Sequence, residues 1–213
     1  MCNRGDNSMP ATALIVIDVQ NAFCHPEGSF RKRGYELLEV ERVIEAIQKL
    51  LCLARKLGWL VVFTKTQFRS DYSNAGLLVR QIAPEIAQLK GYQEGSWDAE
   101  LIPQLTPQSG EVIITKTRYD PFVDTYIEQI LKRHGVNQIV VCGLLTNVCV
   151  ESCVRSAFDR DFKVILAADA VTTYSSELHA ASLKTIEHHF GTVKTTNEIE
   201  ARFGRDENEY QHI

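Results

Sequence analysis

The chain has 213 residues, 45% of them hydrophobic and 23% charged. That composition excludes bulk disorder, and the length suffices to bury a core without a disulfide or metal staple. Lys and Arg number 23 against 27 Asp and Glu, and a net charge of −4 argues against a general nucleic-acid binder.

Residues 1–10 read as a polar leader with no apolar signal-peptide core, and no apolar run approaches the ~18 residues of a membrane span. Six cysteines, at 2, 24, 52, 142, 149 and 153, form neither a disulfide framework nor a CxxC zinc pair. The expected compartment is therefore the cytoplasm, with thiols reduced.

The first element is an apolar run over 13–17 that ends at Asp18 and reads as a buried parallel strand. Helical spacing follows over 36–56, through Val40, Val43, Ile44, Ile47, Leu50 and Leu51, and Gly58 stands where that helix ends. A second buried strand covers 60–63. Residues 64–110 are irregular, with Gly76, Pro84, Gly91, Gly95, Pro103 and Pro107 between short helical stretches. An insertion of that length in a compact domain is usually functional. Alternation then resumes: strand 112–114, helix 125–134, strand 138–142, helix 147–160, strand 164–166, helix 176–189, a weak strand 192–194 and a short helix near 197–203. This alternation predicts one α/β domain over 11–203, with a six-stranded parallel sheet covered by helices on both faces. Residues 204–213 form a polar tail.

Parallel sheets of this kind place reacting groups beyond the carboxyl ends of their strands. Three residues occupy such positions. Asp18 follows the first strand, where partial desolvation suits a base; an isolated Asp there also reads as a turn cap. Lys116 lies two residues past 112–114, either as a partner for an anion or as a solvated charge. Cys149 opens the helix after strand 138–142, where the helix dipole and free N–H groups favour a thiolate and an oxyanion site. It also reads as a small buried residue, like Cys52 and Cys142. No histidine is placed as a base by sequence cue. His25 reads as a loop residue within reach of the site, and His188-His189 as a helix end complementing its dipole.

Three segments, in order, carry a resemblance. They are Asp18-Val19-Gln20-Asn21-Ala22-Phe23, Lys116-Thr117-Arg118-Tyr119-Asp120-Pro121-Phe122, and Gly143 through Ser152 with Thr146-Asn147-Val148-Cys149 at its centre. Together they resemble the isochorismatase-like cysteine hydrolases over residues 11–203. Gly95-Ser96-Trp97-Asp98 and 147–152 are most similar to the ureidoacrylate amidohydrolases, with biuret hydrolases and carbamoyl-sarcosine amidases as near relatives. The resemblance implies a three-layer α/β/α sandwich with strand order 3-2-1-4-5-6. It implies an Asp18–Lys116–Cys149 triad, a cis peptide at Leu144–Leu145, and an oxyanion hole from the Leu145 and Cys149 amides. The implied reaction is hydrolysis of a small amide, ureido or carbamoyl compound through a thioester-type intermediate. No cofactor and no metal are implied: the residues after the second strand, 64–72, hold no histidine. Relatives suggest a homodimer or homotetramer.

The substrate pocket is expected from Gln20, Asn21, Phe23, Gln67, Arg69, Tyr119 and Phe122, with Arg69 either clamping a carboxylate or standing as a surface charge. Trp97 either closes the pocket or anchors the insertion. The stretch 69–88 departs from the ureidoacrylate enzymes. Two other readings stand beside the amidase: an isochorismatase-type vinyl-ether hydrolase needing Asp18 without the cysteine, and a thiol redox or binding protein using Cys149 and Cys153.

Overall fold

The structure, a computed structural model, describes residues 11–204. The expected leader, and the expected tail beyond Gly204, lie outside the described residues. A single six-stranded sheet forms the centre, from β1 (Thr12–Ile17), β2 (Leu60–Thr66), β3 (Val112–Lys116), β4 (Gln138–Leu144), β5 (Lys163–Thr172) and β6 (Thr192–Lys194). All its pairings are parallel and the order is β3-β2-β1-β4-β5-β6. The chain walks outward from β1 to β3, then crosses back to place β4 on the other side of β1. The carboxyl ends of β1 and β4 therefore flank the switch point where such sheets bind ligands.

The helices cover both faces. After the single turns α1 (Asn21–Cys24) and α2 (Ser29–Lys32) comes α3 (Val40–Lys56). It buries Val43, Ala46, Ile47, Leu50, Leu51 and Ala54 against Leu14, Val16, Phe63 and Val140. Gly58, at φ +65°, ends it as expected: a left-handed conformation there costs an L side chain about 1–2 kcal/mol. The short α4 (Glu85–Gln88) belongs to the insertion. The opposite face carries α5 (Ile127–Arg133), α6 (Glu151–Phe158) and α7 (Ser176–His189), whose Leu131, Cys153, Val154 and Ile186 pack on Ile15, Ile17 and Val141. The last helix, α8 (Thr196–Phe203), returns to the α3 side behind a capping box of Thr195 and Glu198.

The strands run further than the apolar runs suggest. β2 extends to Thr66 and β3 to Lys116, where the polar residues 64–66 and 115–116 keep their pairing, and β4 extends to Leu144, where Gly143 and Leu144 pair with Val171 and Thr172 of β5. The insertion closes around its own small core of Phe68, Ala75, Val79, Ile86 and Tyr92. Among the described residues, no helix is long and apolar enough to cross a membrane.

Candidate active site

Sheet register explains how three distant residues meet. Thr66 pairs with Lys116 across β2 and β3, and Ile17 pairs with both Thr64 and Gly143. Asp18, one residue past Ile17, adopts φ +50°, which turns it off the strand direction. Lys116 is the last residue of the edge strand β3. Its side chain crosses over the end of β2, so that Nζ lies 2.6 Å from Asp18 Oδ2. The same ammonium donates to Thr66 Oγ1 at 3.0 Å, to the Arg118 carbonyl at 3.0 Å and to Cys149 Sγ at 3.6 Å. Asp18 and Lys116 are almost wholly buried, and a buried ion pair persists only when its remaining valences are filled. Thr64 and Thr66 fill them, donating to Asp18 Oδ1 at 2.7 Å and Oδ2 at 3.1 Å.

Cys149 sits in a π-helical turn, Thr146–Val150, that leads into α6. α7 braces this turn from behind. Thr146 Oγ1 and His179 Nδ1 are 3.0 Å apart, and Ser182 Oγ donates to Glu151 while lying 3.3 Å from the Thr146 carbonyl oxygen. Burial lowers the His179 pKa, which favours the neutral ring at this bond. The peptide between Leu144 and Leu145 is cis.

The expected drop in the Cys149 pKa is overturned. Burial pushes the thiol up to about 12; the Lys116 charge pulls it down, and Asp18 raises it again. The rise from 9.0 amounts to about 4 kcal/mol, whereas a helix dipole supplies about 0.3–1 kcal/mol at an exposed site. Desolvation wins, and the resting sulfur is a thiol. Burial works to lower the Lys116 pKa, but the Asp18 carboxylate beside it raises it and holds the side chain as an ammonium.

Cys149 lines a cavity of about 170 Å³. This is below the usual 300–1,000 Å³ of pockets for drug-sized ligands, and it suits a small molecule. Its walls include Phe23, Tyr119, Leu145 and Val148 from the expected motifs. They also include Phe30, Arg33, Tyr35, Tyr92 and Tyr174, which sequence reasoning missed, and Ile82 and Ile86 from the insertion. A wider hollow of about 590 Å³ lies between α3 and α7, lined by Arg42, Lys49, Asp169 and His179, and holds no cysteine.

The remaining expected pocket residues lie outside the cavity lining. Gln20 is fully buried, and its amide bonds the backbone of Thr66 and Ala99. It joins β2 to the insertion. Asn21 donates to the Trp97 carbonyl at 2.8 Å. Gln67 is half-buried, its N–H bonded to the Lys116 carbonyl. Arg69 is exposed, its N–H held by Asn74. Trp97 is half-exposed, edge-on to His25 at 4.9 Å. Phe122 belongs to the core beneath α5, under the Arg160 guanidinium. Among the described residues, no group of three His, Cys, Asp or Glu side chains is placed to hold a metal ion.

The fold and this cluster of residues define a class, and the comparisons agree. Residues 12–198 match the isochorismatase domain, and the chain belongs to that family. The ureidoacrylate amidohydrolase RutB of Caulobacter segnis is 33% identical over 207 residues, covering 91% of this chain and 86% of its own. RutB of Methylobacterium radiotolerans is 35% identical over 209 residues, covering 92% and 81%. The crystal structure of a cysteine hydrolase from Pseudomonas syringae superposes with a TM-score of 0.83 at 32% identity, covering 92% of this chain and 93% of that one.

Proposed function

We propose that this chain is a cysteine-dependent hydrolase that cleaves a C–N bond of a small amide, ureido or carbamoyl compound. The observation that carries the reading is the placement of Cys149 Sγ, at the wall of a small cavity and 3.6 Å from a Lys116 ammonium that is itself paired with Asp18. Kinship with enzymes named ureidoacrylate amidohydrolases supports the bond type.

With the thiol pushed up to about 12, the proton leaves sulfur as attack proceeds rather than before it. Asp18 accepts that proton, and Lys116 stabilises the charge growing on sulfur. Sulfur bonds to the carbonyl carbon, and the oxyanion takes hydrogen bonds from the Leu145 and Cys149 N–H groups. The tetrahedral adduct collapses as the C–N bond breaks, and Asp18 returns the proton to the departing nitrogen. Ammonia or an amine leaves. A thioester remains from an amide, or a thiocarbamate from a ureido group. Water then attacks that carbon and gives its proton to Asp18; the C–S bond breaks, and the proton goes back to sulfur.

The test is ammonia release from ureidoacrylate, biuret, carbamoyl-sarcosine and maleamate by the wild type and Cys149→Ala. Loss of at least ~10³-fold with the thiol is expected. Intact-mass spectra of quenched wild-type reactions should show an acyl adduct absent from the variant. Equal turnover by both proteins would remove the thiol from the mechanism and leave Asp18 chemistry alone, as in vinyl-ether hydrolysis.

A further inference from the structure

α7 contributes a side chain that the reaction above leaves unused. Nδ1 of His179 lies 3.0 Å from Oγ1 of Thr146, and among the described residues that hydroxyl has no other partner. Thr146 is fully buried. It stands directly after the cis pair Leu144–Leu145 and opens the turn that carries Cys149. The turn fixes its own interior: the Leu145 carbonyl accepts from the Val148 N–H at 3.0 Å and from the Val150 N–H at 3.2 Å. Those bonds tie its residues to one another, and a polar attachment from outside comes from α7.

His179, Ser182 and Ile186 recur at spacings of three and four, on one face of that helix. Ser182 bonds Glu151, the residue after the turn, and Ile186 is buried in the core with Val150 and Cys153. Of the three, His179 alone bonds the side chain at the head of the turn. The ring is half-buried and lines the hollow between α3 and α7; it is absent from the lining of the Cys149 cavity. It therefore acts from behind the site. Leu145 directly precedes Thr146, and Cys149 follows it by three residues, so holding Thr146 holds both N–H groups assigned above to the oxyanion. Hydrogen bonds weaken steeply with misalignment, and such donors serve a transition state only when they are in place before its charge develops.

We propose that His179 is a positioning residue for acyl transfer: through Thr146 it keeps the Leu145 and Cys149 N–H groups aimed at the oxyanion, and it leaves the reactivity of the sulfur itself unchanged. This rests on the cysteine hydrolase reading given above and adds to it a residue that touches neither substrate nor sulfur.

Two reactions of one sulfur separate these roles. Acylation by p-nitrophenyl acetate forms the C–S bond through a tetrahedral oxyanion and expels p-nitrophenolate. Alkylation by iodoacetamide displaces iodide at a saturated carbon, and no oxyanion forms. Both consume the thiolate, so the ratio of their rate constants cancels any change in its fraction. Each is followed on the Cys149 peptide by mass spectrometry at one pH, with Cys149→Ala as the blank. His179→Phe keeps a ring without the nitrogen. It should acylate about 10- to 30-fold more slowly than the wild type, short of the roughly 10²–10³ lost with an entire oxyanion donor, and alkylate within about twofold of it. His179→Asn, which returns a polar atom near the place of Nδ1, should recover most of the acylation rate. Thr146→Val removes the same bond from the other side. It should show the same selective loss, and His179→Phe added to it should cost nothing more. Circular dichroism melts report folding, and Thr146→Val with His179→Asn carries the comparison should His179→Phe not fold. Equal slowing of both reactions, slowing of neither, or additive losses in the double variant would overturn the proposal. So would a wild-type Cys149 that alkylates but does not acylate. Selective loss of acylation, in a protein whose wild type releases no ammonia from any amide, would uphold His179 and discard the C–N reading.

Discussion

Thr64 and Asp18 are joined twice through one hydroxyl: the Asp18 N–H donates to Thr64 Oγ1 at 3.2 Å, and that hydroxyl donates to Asp18 Oδ1 at 2.7 Å. Two residues along the same face of β2, Thr66 donates to the other carboxylate oxygen and accepts from Lys116. The carboxylate is therefore oriented by β2 before any substrate arrives. In the proposed mechanism that orientation matters, because there Asp18 faces sulfur, the leaving nitrogen and water in succession.

Removing the Thr64 hydroxyl at constant shape tests this. Thr64→Val leaves a buried carboxylate oxygen short of a donor, which costs roughly 1–3 kcal/mol. Urea denaturation should report that loss. Steady-state kinetics should show kcat falling about tenfold with KM nearly unchanged, since the hydroxyl does not reach the cavity, and Thr64→Ser should recover most of the rate. An unchanged kcat in Thr64→Val would mean that Lys116 alone orients Asp18.

The two threonines show where reading from sequence stops. Asp18 was legible as a chemistry-bearing side chain directly after a buried run, and Cys149 as one that opens the helix following another. Lys116 was visible, but as a residue beyond its strand; the ladder carries β3 to Lys116 itself, and only that register puts the ammonium over Thr66. Thr64 and Thr66 do alternate on one face, yet nothing local distinguishes them from ordinary strand threonines. Arg33 depends on how the insertion folds over α2, a tertiary outcome with no periodic signal. The misread pocket residues share a cause: Gln20 and Asn21 lie beside the catalytic motif in sequence, but their amides satisfy backbone of the insertion instead.

The burial of Cys149 has a consequence for pH. Alkylation follows the thiolate, whose fraction falls tenfold for each pH unit below the pKa. With the thiol at about 12, the rate constant for iodoacetamide at Cys149, followed on its own peptide by mass spectrometry, should climb about tenfold per unit from pH 8 to 10.5 without levelling. A thiol at the ordinary 9.0 would level off by about pH 10. A plateau near pH 9 or lower would mean a preformed thiolate, and Asp18 would then have no proton to remove at the first step.

Gly143 sets the spacing on which the whole cluster depends. It lies in β4 beside Ile17 at φ +113°, and a Cβ built there would stand 2.2 Å from the Ile17 carbonyl oxygen and 2.6 Å from its nitrogen. Both obstacles are backbone, so relief requires β4 to part from β1 at the ends that carry Asp18 and Leu145. Gly143→Ala should therefore cost more than about 4 kcal/mol, or fail to yield folded protein. Gly110 supplies the control. It too has positive φ, +90°, but its Cβ would meet open space, so Gly110→Ala should cost only the local strain of about 1–2 kcal/mol and leave activity in place. Chemical denaturation of the two variants side by side separates clash from strain. Equal losses would show that the close approach of β4 to β1 yields at little cost, and that the position of Asp18 does not depend on it.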